Sequence, residues 1–107
     1  MLFRSTTLLA GATYLQKTGG ATAINGNITI GDGTATNTFL IFGNTYAQGY
    51  NNQTASTSVI TVNSSGTSAK IALAGSNQAI GGLQVMAGTP IIENFEASGF
   101  TSPIGAG

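Results

Sequence analysis

Asp32, Glu93 and Glu96 are the only carboxylate side chains in this chain, Arg4, Lys17 and Lys70 are its only cations, and histidine and cysteine are absent. General acid–base catalysis draws on His and tuned carboxylates, nucleophilic catalysis on an activated Ser, Cys or Lys, and metal centres on clusters of His, Cys, Asp and Glu. Glu93 and Glu96 are close enough in sequence to be the paired acids of a glycosidase. They fall, however, in an irregular tail beside Phe95 rather than on neighbouring strands of one face. Pairing with solvent, or with Lys17, Lys70 or Arg4 of another copy, is the better reading. A non-enzyme is expected, with no catalytic residue, no cofactor and no metal.

The remaining polar candidates are equally plain. Asp32 sits in Gly31-Asp32-Gly33, where one carboxylate falls far short of the six to eight oxygens that calcium takes, so a turn that bonds its own backbone is expected. Asn27, Asn52 and Asn63 head Asn-x-Ser/Thr triplets and are candidate glycan acceptors, although so much Asn, Ser and Thr produces such triplets by chance. Thr34, Thr36 and Thr38 resemble a short outward ladder of the ice-binding kind, without the Thr-x-Thr regularity that such a face needs. Tyr46 and Tyr50, near a Gly-Asn loop, could stack on sugars or pack at an interface.

These residues must be carried by short strands. The 107 residues suit one domain with a modest core, and 41% apolar content is too high for disorder. Sixteen glycines against two prolines, with abundant Thr, Asn, Ile and Val, predict many strands joined by tight turns. Alternating segments stand at 22–24, 27–30, 39–42, 59–62 and 70–73, separated by Gly/Asn clusters, and no segment sustains a helical period. The zero net charge offers no basic patch for nucleic acid and leaves copies free to associate. No apolar run has transmembrane length, and the apolar stretch of residues 1–12 is too short for a signal peptide. Without cysteine, no disulfide can reinforce the fold.

An offset of 32 (60 − 28) lays Ile28-Thr-Ile30 on Ile60-Thr-Val62 and Phe39 and Ile41 on Ile71 and Leu73, with the polar turns between them equal in length. Copies of one supersecondary unit stacked on each other would give this pattern. A third copy would begin near Ile92 and fails at Asn94.

The runs Gly26-Asn-Ile-Thr-Ile-Gly-Asp-Gly-Thr34, Ser58-Val-Ile-Thr-Val-Asn-Ser-Ser-Gly-Thr67 and Lys70-Ile-Ala-Leu-Ala-Gly-Ser-Asn-Gln-Ala-Ile-Gly-Gly-Leu83 resemble the β-strand repeats of autotransporter-associated bacterial surface passengers, with Lys17-Thr-Gly resembling the turn that opens them. The resemblance spans residues 15–84 and implies a parallel β-helix outside the cell without catalytic residues.

The expected fold is therefore all-β, a short parallel β-helix or solenoid with atypical ends. Ile28, Ile30, Ile71 and Leu73 would face inward, and Thr29, Thr61 and Ala72 outward. The alternative is an antiparallel β-sandwich of pilin type completed by a donated strand. Residues 1–14 are expected as an N-terminal extension or docking segment, 15–89 as the β-repeat core and 90–107 as a C-terminal tail or cap. Unpaired strand edges at the ends of such a stack invite another chain. Leu2, Phe3, Leu8, Leu9, Ile91, Ile92, Phe95 and Phe100 are the candidate inter-subunit contacts. The functional expectation is a structural subunit, extracellular or at the cell surface, that self-assembles into a filament or layer as a homo-oligomer or polymer; the alternative is a carbohydrate- or surface-binding adhesin module.

Overall fold

A computed structural model describes residues 5–43 and 50–94. They form eight strands and, among the described residues, no helix: β1 Ser5–Leu8, β2 Gly11–Tyr14, β3 Asn27–Ile30, β4 Thr38–Ile41, β5 Val59–Asn63, β6 Ala69–Ala72, β7 Gly82–Ala87 and β8 Ile91–Glu93. Consecutive strands alternate between two sheets, one ordered β1-β3-β5-β7 and the other β2-β4-β6-β8. Every pairing between named strands is parallel. The antiparallel pairing required by a pilin-type sandwich is thus not found among the described residues. The chain passes from one sheet to the other and returns one strand further along, so each odd–even pair of strands makes one rung.

Side-chain alternation explains the core. On β3 and β5, Ile28, Ile30, Ile60 and Val62 are buried while Thr29 and Thr61 point away from them and are half-buried. From the facing sheet Leu40, Phe42 and Ile71 meet this row, with Leu15 and Ala69 completing the cluster. Each large aliphatic side chain so buried contributes roughly 1.5–3 kcal/mol. The offset of 32 holds at β3–β5, where Ile28 faces Ile60 and Ile30 faces Val62.

It fails in the second sheet. Leu40 faces Ile71, an offset of 31 (71 − 40), and Phe39 faces Lys70. Between β3 and β4 run residues 31–37, but between β5 and β6 only 64–68. The two turns are not of equal length. Because the side-chain period of a strand is two, a one-residue slip moves side chains to the opposite face. Leu40 and Phe42 therefore enter the core, and Phe39 and Ile41 join Ala72 and Ala74 in a second buried cluster on the other face of β4 and β6. Ala72, expected outside, is fully buried, and β4 and β6 are buried on both faces.

The sheets also extend beyond the span of the repeat. Residues 5–14 supply the two strands of the first rung, and β7 and β8 make a fourth. Leu83 faces Ile60 and Ile92 faces Ile71, at offsets of 23 (83 − 60) and 21 (92 − 71). The last rung returns by a shorter route than the one before it, which is why a search at 32 loses it. Residues 22–24, expected as a strand, contribute one isolated bridge, Ile24 to Thr54.

Candidate functional site

Among the described residues no group of three His, Cys, Asp or Glu could hold a metal ion. Asp32 closes its own turn: its Oδ1 accepts hydrogen bonds from Thr34 Oγ1 at 2.6 Å and Thr34 N at 3.2 Å. These bonds, the side-chain one first, hold the carboxyl below the ordinary aspartate range in a fully exposed setting. Glu93 ends β8, and Glu96 lies outside the described residues. Thr34 and Thr36 are exposed in the β3–β4 connection, whereas Thr38 is buried and donates to the Leu9 carbonyl at 3.1 Å, so these three form no outward ladder.

A different column does form. Thr7, Thr29, Thr61 and Gln84 stand opposite one another in register across all four strands of the first sheet, on its outer face. Of the candidate glycan acceptors, Asn27 is exposed, but its Oδ1 accepts the Val59 N–H at 2.9 Å; Asn52 is exposed with φ 55°; and Asn63 is half-buried at the end of β5. Tyr50 is half-buried, and Tyr46 lies outside the described residues.

On the side where the rungs are joined by irregular chain, glutamine side chains supplement a sparse set of backbone bonds such as Ile24 N–H to the Gln53 carbonyl and Asn52 N–H to the Asn77 carbonyl. Gln53, fully buried, accepts the Lys17 N–H at its Oε1 (2.8 Å) and donates from Nε2 to the carbonyls of Lys17 (2.9 Å) and Asn51 (3.1 Å). One rung on, Gln78 accepts the Gln53 N–H at 2.7 Å and donates to the Tyr50 carbonyl at 2.7 Å. Each primary amide thus reaches back to satisfy both a backbone donor and a backbone acceptor of the preceding rung. Sequence reasoning missed this device, although the repeated dipeptides Asn52-Gln53 and Asn77-Gln78 were available as its signal.

The distinctive surface is the far end of the stack. Leu83, Val85 and Ile92 continue the inward rows of Ile60, Val62 and Ile71, and among the described residues no further rung pairs with theirs. They are exposed over 43%, 47% and 49% of their area. Beside Leu83 and Ile92 opens a largely apolar hollow of about 110 Å³, lined also by Phe42, Ile60, Ile71, Leu73, Ile80 and Gln78. The near end is milder: its inward row is Thr6 and Leu8 on β1 and Thr13 on β2, all half-buried, followed by buried Leu15. Among the described residues, β1, β2, β7 and β8 each have one unpaired edge.

Of the candidate contact residues, Leu8 and exposed Leu9 belong to the near end, and half-buried Ile91 and exposed Ile92 to the far end. Leu2, Phe3, Phe95 and Phe100 lie outside the described residues. Compared with known proteins, the chain matches no family model, no curated protein and no solved structure.

Proposed function

We propose that this chain is a short parallel β-solenoid acting as a non-enzymatic structural subunit, extracellular or at the cell surface as in the surface passengers it resembles, and that it self-assembles through its strand edges. One observation carries the reading: the last rung ends in exposed Leu83, Val85 and Ile92 beside two strand edges that are unpaired among the described residues. Exposed apolar surface next to open backbone donors and acceptors is a template for another chain. Zero net charge removes the long-range repulsion that would keep copies apart. Light scattering and electron microscopy over a rising concentration series test the reading. Growing oligomers or filaments are expected, and a stable monomer at about millimolar concentration overturns it.

A second reading, a module that binds carbohydrate or another surface, rests on the column Thr7, Thr29, Thr61 and Gln84, an uncharged row of hydrogen-bonding groups on the outer face. Glycan-array binding that is lost in Thr29→Val/Thr61→Val and retained in Tyr50→Ala would favour it. No binding to any glycan would remove it.

A further inference from the structure

Resting on the self-assembly reading, we infer the partner and its placement: the far end takes the first rung of a second copy, head to tail, with β1 of that copy on β7 and its β2 on β8. Three rung-on-rung interfaces within the chain already have this form, each joining a pair of strands to the next pair in parallel. Among the described residues, only the first rung of another copy offers two unpaired strands with the same direction and the same division between the sheets. An identical last rung brought face to face by a two-fold axis would run antiparallel.

The side chains agree with this placement. Continuing the registers of the chain puts Leu83 against Thr6 of the second copy, Val85 against Leu8 and Ile92 against Thr13. These are contacts of a kind that the chain already makes, since Ile28 faces Thr6 and Leu40 faces Thr13 between its first two rungs. Glu93 is the only charged residue on the four edge strands. In the same register it faces Tyr14 of the second copy, whose phenol can donate to a carboxylate. Glu93 is half-buried, with its Oε1 already covered within the chain, so the contact with that phenol falls to the rest of the carboxylate. The contact is heterologous and does not close on itself, so repetition gives a polar filament rather than a dimer.

The outer column supplies the test, because it would run Thr7, Thr29, Thr61, Gln84 and then Thr7 of the next copy. Neighbouring parallel strands lie about 4.8 Å apart, within the Cα separation that a disulfide spans. Thr7 and Gln84 are both exposed, and the chain has no cysteine of its own. Oxidised Thr7→Cys/Gln84→Cys protein is expected to give a ladder of covalent oligomers on denaturing gels. Mixing the two single variants should give predominantly the mixed dimer. Leu83→Lys/Ile92→Lys alters only exposed positions, so its circular dichroism should match the parent, while the concentration needed for association rises at least about 100-fold.

Gln84→Cys dimers that form as readily as the mixed pair mean that two last rungs meet, and they overturn the head-to-tail order. Association that survives Leu83→Lys/Ile92→Lys and yields no ladder overturns this interface and leaves self-assembly standing. A parent chain that stays monomeric overturns both.

Discussion

Leu40 faces Ile71 across the β4–β6 pair one residue out of step with Ile28 and Ile60 across β3–β5. That single slip decides which half of the second sheet is core. It arises because the connection at 64–68 is shorter than the one at 31–37. It also makes Ala72 a buried position although the repeat, taken at a constant offset, reads it as solvent-facing.

Ala72→Asp should therefore lower stability by about 3 kcal/mol or more, since it places a carboxylate against Phe39, Ile41 and Ala74. Gln84→Asp, on an exposed position of β7, should stay within about 0.5 kcal/mol of the parent. Urea unfolding followed by circular dichroism measures both. Equal tolerance of the two would restore the constant offset.

Gly31 marks the corner between β3 and its turn, at φ 90°, and a Cβ there would fall on the Asn63 carbonyl oxygen of the next rung. Gly31→Ala is expected to cost about 2 kcal/mol or more from backbone strain and the clash together. Gly66, at φ 56° with open space around it, should lose only about 1 kcal/mol on the same replacement. Thermal unfolding of the two variants separates the cost of the close approach from that of the backbone angle.

Gln53→Leu keeps the approximate volume but removes the side-chain partner of the part-buried Lys17 N–H and carbonyl bonds. A typical hydrogen bond contributes about 0.5–1.5 kcal/mol net, so losing the set is expected to cost about 1–3 kcal/mol. Gln53→Glu should also be destabilising, because a carboxylate cannot donate to the Lys17 and Asn51 carbonyls. Hydrogen exchange at the Lys17 amide, faster in both variants, identifies the broken ladder directly.

Carboxyl NMR titration should give Asp32 a pKa below the ordinary aspartate value, and Thr34→Ala should move it back up. The sign follows from linkage: a depressed folded-state pKa adds stability that is present above the unfolded value and is lost as pH falls through the folded one. The site is fully exposed, so the titration itself, and not the unfolding midpoint, is the measurement that resolves it.

Assembly through apolar and backbone contacts should be nearly insensitive to salt. Raising sodium chloride from about 0.05 M to about 1 M shortens the screening length roughly fourfold. The critical concentration is expected to change less than about threefold, while sulfate should lower it. A steep loss of association with chloride would point instead to pairing among the few charges, as first weighed for Glu93 with Lys17, Lys70 or Arg4.

Composition and alternation alone determined that the chain is all-β, and they located the four central strands to within a residue, because Ile28, Ile30, Ile60 and Val62 carry a strong period of two. The outer strands escaped for physical reasons. β1 is Ser-Thr-Thr-Leu, with too little apolar character to stand out, and β7 and β8 follow a return too short for the repeat. Parallel direction, the slipped register of Leu40 on Ile71 and the burial of Ala72 depend on loop lengths acting across separate rungs. No local pattern encodes those. The exposed end is likewise a tertiary fact: Leu83, Val85 and Ile92 are ordinary aliphatic residues in the sequence, and only stacking reveals that they continue three core rows and, among the described residues, end them.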